Sequence, residues 1–360
     1  MFSVSRFINN ITLLQQQNDP LFPGGLLPAY RTNPLIHYSR PDTNVFFSAI
    51  SAFTLLHTVQ PAQSEELQQK IDRILSSICA TYPEFQNKDG LKTYNFFKTK
   101  PSRHFPNGYL LHRLEHFRIP DDIDDTAMIY LTTQPAQEEL IWLKNKLTQH
   151  ANGTKIWIRN TYPEYKLLKA YSTWFGKNMY IEFDCCVLSN MLLCIYHYGL
   201  PLNQHDHDSL LYIKSVIETD RYINEPFRCA HQYPRTNLIA YHVARLIGMF
   251  NPEVLQPVKE KLIRDCYKLL AGADHIMDRI LLSIALLRLG ERPERIDTTG
   301  INKNDFEGFY FFIAGLLTAY ENPILYQIAS SQLFHMYWVC EAHCWVLLAE
   351  YEVLASTTAY

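Results

Sequence analysis

The chain has 360 residues, of which 47% are hydrophobic and 19% charged, and its net charge is -3. That length suits one large domain or two ordinary ones, the apolar content excludes a disordered chain, and the near-neutral balance excludes a dominant nucleic-acid footprint. With 13 Gly and 19 Pro it is neither loop-rich nor collagenous; its 23 Tyr, 20 Phe and 5 Trp can fill a core and also line a cavity for an apolar or cationic ligand.

The first segment, Met1 to Gln17, carries Arg6, Asn9, Asn10 and several Gln and lacks the apolar stretch of a signal peptide. No run reaches the roughly 18 apolar residues of a membrane span, so no transmembrane segment is expected. Asp42 is placed to cap a helix through Phe46, Phe47, Ile50, Phe53 and Leu56. Pro61 opens a second, with Leu67, Ile71, Ile74 and Leu75 on one face. The stretch 83–120 is the least regular and reads as a long loop crossing one face. Helices follow after Asp121 to Asp125, over about 138–147, and over 183–198, ended by Gly199-Leu-Pro201. Further segments lie near 207–218, 236–249, 253–270, 275–289, 306–319 and 335–355. Lys155 to Arg159, with Ile156, Trp157 and Ile158, reads as a short strand. Some ten to twelve helices with short connections predict a single all-α domain over 1–360, built from stacked helical hairpins. The helix at 183–198 is apolar around most of its circumference, as expected of a helix buried on two sides. An inner ring of helices inside an outer ring, an α/α toroid, would produce that pattern.

The most informative stretch is Pro120-Asp121-Asp122-Ile123-Asp124-Asp125-Thr126-Ala127-Met128. Acids in a first turn after Pro suit the helix dipole and the free N–H groups. Two would suffice for that, and four repel one another. Apolar neighbours, from Leu110, Leu111, Leu114 and Phe117 to Met128 and Leu131, place the cluster beside a partly buried space. Carboxylates crowded in such a space do not all ionise, and at least one keeps its proton near neutral pH. Asp121 is expected to remain a helix cap.

Asp122-Ile-Asp-Asp-Thr-Ala-Met128 resembles the D-x-D-D-T-A-M signature of class II terpene cyclases. The resemblance implies an α/α toroid and protonation-initiated cyclisation of a linear isoprenoid. It implies Asp124 as the acid that protonates a terminal alkene or epoxide, with Asp122 and Asp125 as its supports. Such chemistry requires a dry general acid and aromatic faces for the carbocation. A solitary barrel is compatible with a minimal cyclase, half of a homodimer, or a relative without catalysis. Asp121, Asp122 and Asp125 also spell D-D-x-x-D, the Mg²⁺-diphosphate motif of class I synthases. No second metal motif follows downstream, so class I ranks below class II, and Mg²⁺ is expected only with a diphosphate substrate. Two other readings stay open: a non-catalytic toroid that binds a lipid or a protein, and a carbohydrate-active (α/α) enzyme.

Elsewhere, Asp184-Cys185-Cys186 and His343-Cys344 contain zinc-ligand types without zinc-ligand spacing. All eight cysteines read as thiols of apolar helix faces in a reducing cytoplasm, without disulfide or zinc. His205-Asp206-His207-Asp208 reads as a polar loop in which Asp208 caps the next helix, and Asp274-His275 likewise as a helix head. His231-Gln-Tyr-Pro-Arg235 is an aromatic, basic turn. It reads either as an exposed turn or as a substrate-binding site, where Tyr233, Arg235 and helix N–H groups would meet a diphosphate.

Overall fold

The computed structural model describes residues 2–16, 21–100, 102, 119–176, 179–315, 317–318 and 321–357. The chain opens on a helix that composition concealed, α1 (Phe2–Gln15). Its polar residues face out, while Val4, Phe7, Ile8 and Ile11 recur at helical spacing and are buried. A hairpin follows, β1 (Ala29–Asn33) and β2 (Tyr38–Asp42), whose connection turns at His37 with φ 50°. Then come α2 (Phe46–Thr54), prolonged by a wide turn to Val59, and α3 (Glu65–Cys79). Next are α4 (Ile123–Leu131), α5 (Gln137–Gln149), α6 (Cys185–His197) and α7 (Gln204–Glu218). Two single turns, α8 (Arg221–Asn224) and α9 (Pro226–Cys229), lead to α10 (Thr236–Phe250), α11 (Gln256–Ala271) and α12 (Ile276–Arg288). The last elements are β3 (Phe312–Gly315), α13 (Pro323–Ile328), β4 (His335–Val339) and α14 (Glu341–Thr357).

Six of these helices, α2, α4, α6, α10, α12 and α14, are buried over most of their length. Each is apolar on more than one side and must be covered on more than one side. Their neighbours answer that need. Helix α2 packs on α4, α4 on α6, α6 on α10, α10 on α12, α12 on α14, and α14 back on α2, a closed circuit. The amphipathic helices lie outside it. Helix α3 covers α2, α1 covers α14, α7 covers α6, and α11 covers α10 and α12. On α3 the buried side chains include Leu67, Ile71, Ile74 and Leu75, the face that the spacing marks. One connected set of buried apolar side chains runs from Val4 to Val353.

The molecule is mostly helical, but it also holds an antiparallel four-stranded sheet, in the order β2-β1-β4-β3. This corrects the all-α expectation. Residues 335–339 are a strand and not the start of the last helix, and 312–315 replace the helix expected over 306–319. Lys155 to Arg159 forms turns and coil, because no neighbouring strand satisfies its backbone there. Asp42 ends β2 and does not cap α2, whose first turn begins at Phe46 after Val45. Inside the sheet, Arg31 and Asp42 form a buried ion pair at 3.3 Å. Asp42 also accepts the Trp338 indole N–H at 2.7 Å, so the hairpin fixes an aromatic side chain on β4.

Candidate active site

The first turn of α4 is held on both flanks. The Asp122 backbone bridges to Tyr94 on one side and Trp174 on the other, and Ile123 N donates to Thr173 O at 2.9 Å. Asp122 is the cap. It is extended (φ -130°, ψ 165°) and accepts the Asp125 N–H at 2.8 Å. Asp121, the expected cap, sits one residue earlier. It accepts the Thr93 hydroxyl at 2.6 Å and the side-chain amides of Asn87 and Asn95. The cap therefore falls where the backbone turns extended, not at the first acid of the run. Of the expected apolar neighbours, Leu110, Leu111, Leu114 and Phe117 lie outside the described residues, while Met128 and Leu131 are buried.

Asp124, one residue into the helix, is 7% exposed. Its Oδ1 accepts the Asn190 side-chain amide at 2.6 Å and its Oδ2 accepts the Tyr233 hydroxyl at 2.5 Å. Burial pushes this carboxyl up to about 6, against the hydrogen bonds of Tyr233 and Asn190 and the charge of Arg245, which favour the ionised form. Asp122 is pushed up to about 7 by burial, with Asp124 and Asp121 adding to the rise. Asp125 lies well above the usual carboxylate range, first through burial and then through Asp122 beside it. Its Oδ1 is buried without a hydrogen-bond partner. The three carboxyls thus retain protons at a pH where exposed aspartates have lost theirs.

All three line one pocket, with about 560 Å³ of space not filled by protein atoms, open solvent included. Its walls are otherwise largely apolar, with Phe46, Phe96, Trp174, Val187, Tyr233, Phe312, Ile313 and Trp338. Phe312 stacks on Trp338 at 5.5 Å, and Phe96 stands edge-on to both. The pocket therefore lies at the N-terminal ends of α2, α4 and α6, closed on one side by β3 and β4. Asp124 shares the pocket with aromatic rings whose π-density suits a cation, and among the described residues no lining side chain carries a basic nitrogen.

The other expected residues divide. Tyr233 reaches the pocket and Asp124. Arg235 does not, because both Asp278 carboxylate oxygens hold its Nη2 and its guanidinium lies over the Phe309 and Tyr310 rings. The turn is part-buried and not the exposed loop that its polarity suggests, with His231 and Tyr233 both buried. Asp184 caps α6, receiving the Cys186 and Val187 N–H groups, and also accepts Gln232 N. His343 pairs with Ser51 at 2.9 Å. The cap of α7 is Asn203; Asp208 lies inside that helix and accepts Lys169 N at 2.6 Å. His275 caps α12. The eight thiols are free, seven of them buried.

The D-D-x-x-D set does not fit a shared Mg²⁺. Asp121 is turned to Asn87, Thr93 and Asn95, and Asp122 is committed to the Asp125 N–H. Among the described residues no group of three or more His, Cys, Asp or Glu side chains could hold a metal ion. No helix among them is long and apolar enough to cross a membrane.

Sequence reasoning missed Asn190 and Arg245. Both are polar residues in the mostly apolar helices α6 and α10, and that was the available signal. Arg245 donates to Asn190 Oδ1, and a chain of bonds continues through Tyr241 and Glu350 (2.8 Å) to Arg288 (2.9 Å). No protein-family model, curated protein or solved structure matches this chain.

Proposed function

We propose that the chain is a class II-type terpene cyclase whose Asp124 starts the cyclisation of a linear isoprenoid by protonation. The observation that carries this reading is a buried carboxyl, raised to about 6, on the wall of an aromatic pocket. The resemblance of Asp122 to Met128 to the cyclase signature singles out the same residue. The closed circuit of α2, α4, α6, α10, α12 and α14, with amphipathic helices outside, is in this reading the inner ring of an α/α toroid.

Asp124 gives its proton to the less substituted carbon of the terminal alkene, or to an epoxide oxygen. Its O–H bond and the alkene π bond, or the epoxide C–O bond, break as a C–H or O–H bond forms, and the tertiary cationic carbon left behind draws in the next double bond to close a ring. Two neutral donors, Asn190 and Tyr233, stabilise the carboxylate as the proton leaves, which makes Asp124 a stronger acid than burial alone would leave it. Phe46, Phe96, Phe312 and Trp338 offer ring faces and edges to the migrating cation. Loss of a proton from the last cation ends the sequence. No step uses a metal. A carbohydrate-active enzyme would need two carboxyls across an open polar groove, whereas the three carboxyls here share one helix start and the rest of the lining is largely apolar.

The test is incubation with squalene and a panel of prenyl diphosphates, followed by mass spectrometry. A cyclic product from the wild type that Asp124→Asn fails to make supports the proposal. Equal turnover by that variant removes Asp124 from the role. A bound but unchanged isoprenoid would favour the lipid-binding module.

A further inference from the structure

Arg245 lies in the middle of α10 with no solvent exposure. Its Nη2 donates to Asn190 Oδ1, its Nη1 reaches the Tyr241 hydroxyl at 3.5 Å, and its Nε is buried without a hydrogen-bond partner. The guanidinium stands 5.2 Å from the ring centres of both Phe53 and Tyr241. Among the described residues no carboxylate touches it; Glu350 lies beyond Tyr241 and is paired with Arg288. Burying a cation in this way is costly, and an apolar side chain of similar volume would pack there without that cost. The charge therefore calls for a use, and its one close polar contact is the residue that touches Asp124.

We propose that Arg245 is a positioning residue for the acid. By holding the Asn190 carbonyl, it fixes the amide so that only the NH₂ group faces Asp124, which keeps the transferable proton out of the Asn190 contact and on the pocket side. This rests on the reading of Asp124 as the acid.

A side-chain amide presents a donor at one corner and an acceptor at the other, and a half-turn exchanges them. Were the oxygen turned to Asp124, a protonated Asp124 would donate into it, and the proton would be aimed at α6 and stabilised there. Arg245 prevents that half-turn, since its guanidinium has donors only and would then face the amide NH₂. Tyr233 gives its hydroxyl hydrogen to the other oxygen. Both Asp124 oxygens are thus acceptors in these contacts, and the acid's own proton takes a remaining lone pair, toward the aromatic wall. The other titratable groups that interact with Asp124 are Asp122 and Asp125 on its own helix, Asp184 and Cys186 at the start of α6, and Tyr233. None of these is a cation, so in this set Arg245 supplies the field that eases ionisation. His242, its ring tilted against Tyr233 at 4.9 Å, is kept neutral by burial and by Arg245.

The test needs no substrate. Infrared difference spectra of protein carrying ¹³C-labelled aspartate, with Asp124→Asn as the blank, follow the protonated Asp124 carbonyl as pH changes. In Arg245→Met the midpoint should rise by about one pH unit or more, and the carbonyl band should fall in frequency as the acid begins to donate to Asn190. Arg245→Lys, which keeps a charge and a donor, should return most of the shift. A midpoint in Arg245→Met equal to the wild type's, or one in Arg245→Lys displaced as far as in Arg245→Met, overturns the proposal. If Arg245→Met does not fold, Asn190→Leu carries the same expectation of a raised midpoint, and an unmoved midpoint there also overturns it. Failure of the wild type to cyclise any isoprenoid would strike the proposed function and leave this titration standing. Where turnover is found, the acid limb of kcat should follow the midpoint while KM stays put.

Discussion

Two of the helices that begin with buried aspartates, α7 and α4, use them in opposite ways. At the head of α7, Asp206 is fully buried and accepts the Asn203 N–H at 2.6 Å, the Tyr171 hydroxyl at 2.9 Å and the ammonium of Lys144. At the head of α4, Asp124 is almost as buried and also accepts a tyrosine hydroxyl, but its other partner is a neutral amide. No ammonium or guanidinium touches Asp124 among the described residues, and it borders an apolar pocket. A cation in contact turns a buried carboxylate into a strut. Neutral donors in the same places leave it able to take up and release a proton.

The sharpest way to break this comparison is to remove the proton. Asp124→Asn keeps the size and shape of the side chain, and cyclisation should fall by about 10³-fold or more while the protein stays folded, as read by product formation and circular dichroism. Turnover that survives would put Asp124 among the struts. On the other side of the comparison, Lys144→Met strands Asp206 with its charge. We expect a loss of about 3 kcal/mol in urea denaturation, with the Asp124 titration unmoved. A loss near zero would mean that Asp206 does not depend on its cation.

The pH dependence of the Asp124 site sharpens the contrast further. Asp124 has its folded pKa raised to about 6 from an ordinary 3.8, so its protonated form stabilises the fold at low pH and that contribution is lost as pH rises through 6. Asp124→Asn escapes the loss. Relative to wild type it should gain about 2 kcal/mol between pH 4 and pH 8, measured by denaturant melts of both proteins at each pH. The comparison is made variant against wild type because buried histidines act in the other sense. His343, lowered to about 3 by burial, adds stability above its unfolded value that is lost on acidification. The smallest expected effect belongs to the cap. Asp122→Ala should cost about 1 kcal/mol, and Asp121→Asn should leave the start of α4 in place.

The helices were legible where burial follows a 3.6-residue period. Leu67, Ile71, Ile74 and Leu75 mark the buried face of α3, and the runs at 236–249 and 275–289 match α10 and α12 within a residue or so. The sheet was not legible. Its strands have four or five residues, carry no clean alternation, and β1 pairs with β4 across some 300 positions, so nothing local announces them. The run His335-Met-Tyr-Trp-Val339 adjoins the apolar helix α14 and was read as part of it. At the site, Asp124 lies in a run of aspartates that stands out in the sequence, and Tyr233 in an aromatic turn, and the two meet at the pocket. Asn190 and Arg245 lie 66 and 121 positions from Asp124, and their roles exist only once α4, α6 and α10 are side by side.

The sheet also imposes an order on the protein's birth. The β1–β2 hairpin can close as soon as it leaves the ribosome, yet one edge of β1 stays bare until Tyr337 to Val339 arrive some 300 residues later. During that interval the nascent chain carries an open strand edge next to half-built helices, a docking point for chaperones and for the wrong neighbour. The later segment also brings Phe312 and Trp338, so the chamber beside Asp124 has no far wall until they have emerged. Without that wall the Asp124 carboxyl would be wetted, and the burial that raises it would be missing until the segment docks.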